Sequence, residues 1–100
     1  MARVVVTARA RADLDRLIRT HSLPSSTRER VIRSLAPLAE FPAIGAQLPD
    51  PWAPRRFVLG PWRWMLLMYS IDRERDLVVI LTVVDGRSTA SPTVDRSGEP

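Results

Sequence analysis

The chain has 100 residues, 45% of them apolar, with no cysteine and a formal net charge of +4. That suffices for one domain with a single core, and it excludes disulfides, thiolate metal sites and, with no uncharged apolar run near ~18 residues, a membrane-spanning helix. All fifteen basic residues are arginine, a bias that a GC-rich genome also produces; no lysine can serve as a base, while planar guanidinium groups suited to phosphate are plentiful.

The opening "MARVVVTARARADLDR" has no apolar segment of signal-peptide length before acidic residues intervene, so a cytoplasmic protein is expected. "RVVVT" (3–7) is β-branched and reads as a strand. The period then changes: Leu14, Leu17, Ile18 and His21 share one helical face, and Asp13, Asp15, Arg16 and Arg19 take the other. Pro24 breaks the chain. Ser26 and Glu29 have capping-box spacing, and Val31, Leu35 and Leu38 continue an apolar stripe into a second helix. Pro37 is expected to kink that helix or end it near Ala36. The two helices should form an antiparallel hairpin covering something apolar.

"EFPAIGAQLPDPWAP" (40–54), with four prolines, reads as irregular. "RRFVL" (55–59) is a strand that turns at Gly60-Pro61 into a second, "WRWMLLMYSI" (62–71). A charged turn leads from there into "LVVILTVV" (77–84). The last two strands are apolar at nearly every position, as central or doubly covered strands are. Alternation would place Arg63, Met65, Leu67 and Tyr69 on one face, and Trp62 and Trp64 on the other. Residues 90–100 are small and polar and read as a disordered tail. The fold expected is α+β, in the order β-α-α-β-β-β: a mostly antiparallel four-stranded sheet packed by an N-terminal helical hairpin.

That order, with four local pieces, resembles the RelE/ParE superfamily of bacterial toxins from type II toxin–antitoxin modules. The pieces are Ala10-x-x-Asp13-Leu14 in "ARADLDRLI", "LAEFPAIGAQL" (38–48), "RRFVLGPWR" (55–63), and "YSID" (69–72) followed by "LVVILTVVDGR" (77–87). The likeness spans about residues 2–88 and implies a toxin domain at 1–89. It also implies one of two activities: ribosome-dependent cleavage of mRNA, in which the 2′-hydroxyl attacks the adjacent phosphate, or inhibition of DNA gyrase without cleavage. A non-catalytic interaction protein of the same fold is a third possibility. Either toxin would be neutralised by a cognate antitoxin, expected to bind through an amphipathic helix.

RNA cleavage needs a base for the 2′-hydroxyl, charge on the phosphorane and an acid for the leaving oxygen. Arginine suits the second task. Arg63 and Arg87 are therefore the catalytic candidates, with Arg55, Arg56 and Tyr69 as substrate-binding residues, and the endoribonuclease is the activity expected first. Anchoring the resemblance on Gly60 puts Arg63 at the family's phosphate-binding position, whereas anchoring it on Tyr69 puts Leu66 there. Arg55 and Arg56 hold their protons too tightly to be bases, and no aromatic or imidazole side chain follows Tyr69. His21 reads as a half-buried imidazole at a helix end. No cofactor is implied, and one histidine without clustered carboxylates gives no metal site.

Overall fold

In the computed structural model, which describes residues 1–51 and 54–87, the chain enters through strand β1 (Arg3–Val6) and passes directly into helix α1 (Ala8–Thr20). The expected tail at 90–100 lies outside the described residues. Thr7 forms the hinge between the two elements. Its Oγ1 accepts from the Ala10 amide at 3.1 Å, capping the helix, and donates to the Ile80 carbonyl at 2.9 Å, fixing the helix start to the sheet. Helix α1 ends in paired backbone bonds, from Leu23 N to Ile18 O and from Ser22 N to Arg19 O. Ser22 takes the left-handed conformation (φ 50°) that this ending requires, and Leu23 packs back on the core.

Helix α2 (Thr27–Ser34) starts without the expected capping box: Ser26 makes no side-chain cap bond, and the Thr27 hydroxyl instead donates to the Pro24 carbonyl at 2.6 Å. The Pro24 carbonyl also accepts from the Thr27 amide at 3.1 Å, closing the turn that leads into the helix. Helix α2 stops at Ser34, and helix α3 (Ala36–Glu40) begins anew with Pro37 in its first turn, where a missing amide costs nothing. The sequence expectation of a break at Pro37 is met in this form. Arg28 joins α2 to α1 through Asp15 at 2.6 Å.

A 3-10 turn (Pro42–Ile44) leads into β2 (Ala46–Gln47), followed by β3 (Arg56–Leu59), β4 (Met65–Asp72) and β5 (Leu77–Asp85). Among the described residues the sheet has five strands in the order β1-β5-β4-β3-β2, all antiparallel neighbours except the parallel pair β1–β5. The fold class is as the sequence implies, with one edge strand more. The two-residue β2 lies in a stretch too rich in proline for a strand signal.

The helices cover one face. Ala10, Leu14 and Leu17 of α1, with Val31, Leu35 and Leu38, meet Met65, Leu67, Tyr69, Val78, Ile80 and Val83 in the main core. Register shifts at Met68/Tyr69, where Leu81 has no partner, so the inward residues of β5 change from even to odd positions between Ile80 and Val83. On the opposite face Leu48 returns over Leu66 and Met68, with Phe57 and Val84 beside them. Asp13, 6% exposed, explains the Ala-x-x-Asp-Leu spacing: Ala10 and Leu14 meet the sheet, while the carboxylate between them takes a short bond from the Thr82 hydroxyl and another from Arg16 at 2.8 Å.

Candidate functional site

Two groups of polar side chains stand at opposite ends of the sheet. At the first, the chain leaves β3 at Gly60 and rejoins the sheet at Met65, closed by Gly60 N to Met65 O at 2.9 Å and Met65 N to Trp62 O at 3.0 Å. Because Trp62, Arg63 and Trp64 sit in this turn and not in β4, strand alternation does not reach them. Both indoles turn to the helix side and pack against the main core, on the same side as Met65 and Leu67. This corrects the assignment of the tryptophans to the opposite face.

Around those indoles gather groups from three elements, α1, α2 and β5. The His21 ring, just past α1, lies 4.5 Å from Trp64, and its Nε2 is 3.4 Å from the Asp85 carboxylate. Arg87 covers Trp64 with its guanidinium at 4.9 Å and closes on Asp85 through Nε and Nη2, each at 3.0 Å. Arg30 of α2 lies over Trp62 at 4.6 Å, and the two indoles are 6.4 Å apart. Arg63 is exposed and, among the described residues, makes no ion pair.

The side-chain hydrogen bonds from Arg87 hold the Asp85 carboxyl below the usual carboxylate range, against a smaller opposing effect of burial. A depressed carboxylate stabilises the fold above its unfolded-state pKa and loses that contribution as pH falls through the folded value. Urea midpoints of the wild type and Asp85→Asn are therefore expected to differ at neutral pH and to converge below about pH 4. A gap that stays constant into acid would show that the carboxylate's charge is not what holds the cluster. The difference should be small, since the Arg87 side chain is 61% exposed.

At the other end Tyr69 and Arg56 are cross-strand partners. The Tyr69 ring is fully buried; its hydroxyl donates to the Pro42 carbonyl at 2.6 Å and accepts from the Gly45 amide at 2.9 Å. Burial raises the phenol's pKa, so it stays neutral. Arg56 donates to the Gly45 carbonyl at 2.8 Å. Both residues thus brace the turn after α3, and Tyr69, expected to bind substrate, has no surface to offer. Arg56 also lines a cleft of about 610 Å³ with Gln47, Ser70 and Asp72. Arg55 is exposed just before β3.

The sequence-predicted arginines are therefore not one cluster. Met65 pairs with Asp85 and Tyr69 with Arg56, so the two ends are separated by four residues of strand, about 13 Å. Arg63 and Arg87 stand at one end, and Arg55 and Arg56 at the other. Leu66, the rival for the family position, faces away from the helices and is buried. Sequence reading missed Asp85 and Arg30 as members of the first cluster. Asp85-x-Arg87 at a strand end was a usable signal for the first, but nothing local in α2 points Arg30 at Trp62.

A model of the family described as the ParE toxin of the type II toxin–antitoxin system parDE matches residues 4–89. A chain in the toxin–antitoxin complex RelBE2 from Mycobacterium tuberculosis is 28% identical with a TM-score of 0.57, covering 84% of this chain and 96% of that one. The intact Escherichia coli RelBE complex gives 19% identity and a TM-score of 0.61 over 88% of this chain and 100% of its own. The isolated E. coli RelE toxin gives 19% and 0.60 over 90% and 89%. No curated protein matches the chain.

Proposed function

Since the chain belongs to the ParE toxin family of type II toxin–antitoxin systems, we propose that it is the growth-inhibiting member of such a pair and works by binding its target without cleaving RNA. DNA gyrase is the target that the resemblance to ParE-like toxins implies. The division of the arginines between two ends of the sheet carries this. No lysine exists in the chain, its one histidine faces Trp64 and Asp85, and its one tyrosine is buried with both hydroxyl bonds made. An arginine pair whose neighbouring carboxylate and imidazole are turned to each other and to Arg87 can hold a phosphate but leaves the proton transfers unassisted. Arg87, moreover, already faces a carboxylate.

Ribosome-dependent mRNA cleavage is the second reading. It is favoured by Arg63 and Arg87 standing at the same end of the sheet. Under either reading the neutralising partner is a cognate antitoxin, in keeping with the RelBE complexes. An amphipathic helix folding on contact would suit the apolar surface that Phe41 (61% exposed) and Ile44 (60%) present around a hollow of about 550 Å³.

The test is expression in bacteria with mapping of transcript 5′ ends, beside a supercoiling assay of gyrase with the purified chain. Growth arrest, a DNA-damage response, inhibited supercoiling and unphased 5′ ends are expected. Codon-phased cuts that vanish in Arg63→Ala would reverse the order of the two readings.

A further inference from the structure

The protein's charge is concentrated in one part of the chain. Residues 1–40 hold eight arginines against Asp13, Asp15, Glu29 and Glu40, a net +4, whereas residues 41–100 hold seven arginines against seven acids. The whole formal charge therefore lies on β1 and the helices. A genome that favours arginine codons raises the count in both parts and does not produce the imbalance. Asp13 is buried with Arg9 and Arg16 on it, Asp15 is taken by Arg28, and Glu29 lies exposed in the first turn of α2. Arg11 and Arg19 are exposed and, among the described residues, make no ion pair. The Arg28–Asp15 pair aligns α2 against α1. One turn from it along each antiparallel helix, Ile32 of α2 comes level with Arg11 of α1; one turn the other way, Arg19 follows Asp15. Ile32 is 64% exposed. It lies about 200° around α2 from Arg30, which turns to Trp62, so this face is separate from the cluster at the sheet end.

We propose that the outer face of α1 and α2, with Ile32 at its centre and Arg11, Arg19 and Arg28 around it, docks on an acidic protein surface that offers an apolar socket, and that the toxin holds its target this way. Charge complementarity gives the partner's sign: a one-signed basic face draws an acidic surface towards it and sets the orientation of the encounter. Ile32 gives the partner's class. A phosphate backbone offers nothing to a branched aliphatic side chain, whereas a protein socket removes it from water. An apolar anchor inside a charged rim is also how protein interfaces are built. This role rests on the reading that the chain binds a protein target without cleaving RNA, and it adds which face does so and what the target presents.

The experiment measures growth arrest on expression, and inhibition of gyrase supercoiling by the purified full chain, for wild type, Arg11→Ala with Arg19→Ala, and Ile32→Ala. Each altered residue is exposed, so the fold is kept, as circular dichroism would verify. The arginine pair should raise the half-inhibitory concentration roughly tenfold at about 25 mM salt and much less at about 100 mM, where screening has removed the steering. Ile32→Ala should raise it roughly tenfold at both. Growth arrest should weaken in step. The control is Arg73→Ala with Arg75→Ala, in the turn at the far end of β4, which removes equal charge and should change neither readout. Arrest lost in both helix variants while the wild type leaves gyrase untouched would support this face and replace gyrase with another protein target. Arrest kept in both helix variants would overturn it, and if neutralisation by the antitoxin were lost instead, the face would belong to the antitoxin. Equal losses from the control would also overturn it. So would an Ile32→Ala protein that matches wild type while the arginine pair loses both arrest and binding to a labelled DNA duplex, for the face would then serve nucleic acid.

Discussion

Replacing Gly45 with alanine is expected to destabilise the domain by about 3 kcal/mol. A Cβ there would stand 2.5 Å from the Phe57 carbonyl oxygen, 2.5 Å from the Tyr69 hydroxyl and 2.8 Å from its ring. The first is backbone of a paired strand, and the ring is wholly buried, so neither can withdraw cheaply. Displacing the ring would also break the two bonds through which Tyr69 Oη ties Pro42 to Gly45. The conservative companion is Tyr69→Phe, which keeps the volume, leaves the Pro42 carbonyl and Gly45 amide without that partner, and should cost about 1–3 kcal/mol. Chemical denaturation measures both. A Gly45→Ala protein within about 0.5 kcal/mol of wild type, the spread of an ordinary surface change, would show that the turn is loose and not locked by the ring.

Leu67→Ala is the second large effect, at about 3–4 kcal/mol. Leu67 is fully buried in the middle of β4, paired with Val58 on one side and Val83 on the other. Removing its branch opens a cavity beneath α1 that strands held on both sides cannot close. Leu59→Ala makes the same chemical change on β3, where the residue is 50% exposed, and should cost less than about 1 kcal/mol. Denaturant midpoints for the two proteins that fell together would contradict the layered core, since the difference between them rests on burial alone.

The parts of this fold legible from sequence are those where one physical rule acts without competition. The apolar positions Leu14 and Leu17 found the sheet because nothing else in α1 offers a comparable face. β4 and β5 are central, as their unbroken apolar runs imply. Rules failed where a neighbour pre-empted them. Ser26 makes no side-chain cap bond, and it is Thr27 beside it that bonds back to the Pro24 carbonyl; alternation from Tyr69 back to Trp62 was cut short by a turn that Gly60 and Pro61 had been expected to complete alone. β2 was invisible because two residues carry no period. In the candidate site, residue types were easier to read than their company. Arg63 and Arg87 come to one end, but whether a guanidinium faces solvent or a carboxylate depends on Asp85, whose side-chain direction is a tertiary fact. Tyr69 illustrates the same limit, for an aromatic between strands serves a surface or a core according to which loop lies over it.

The parallel pairing of β1 with β5 has a consequence for synthesis. Thr7 finds its acceptor at Ile80, 73 residues further along, so β1 waits for β5. Until β5 leaves the ribosome, α1 lacks the surface against which Leu14 and Leu17 pack, and the central ladder is open on one side. Contacts of such long separation form late. Nascent chains that stop short of β5 therefore lack the sheet on which this toxin's surfaces are built.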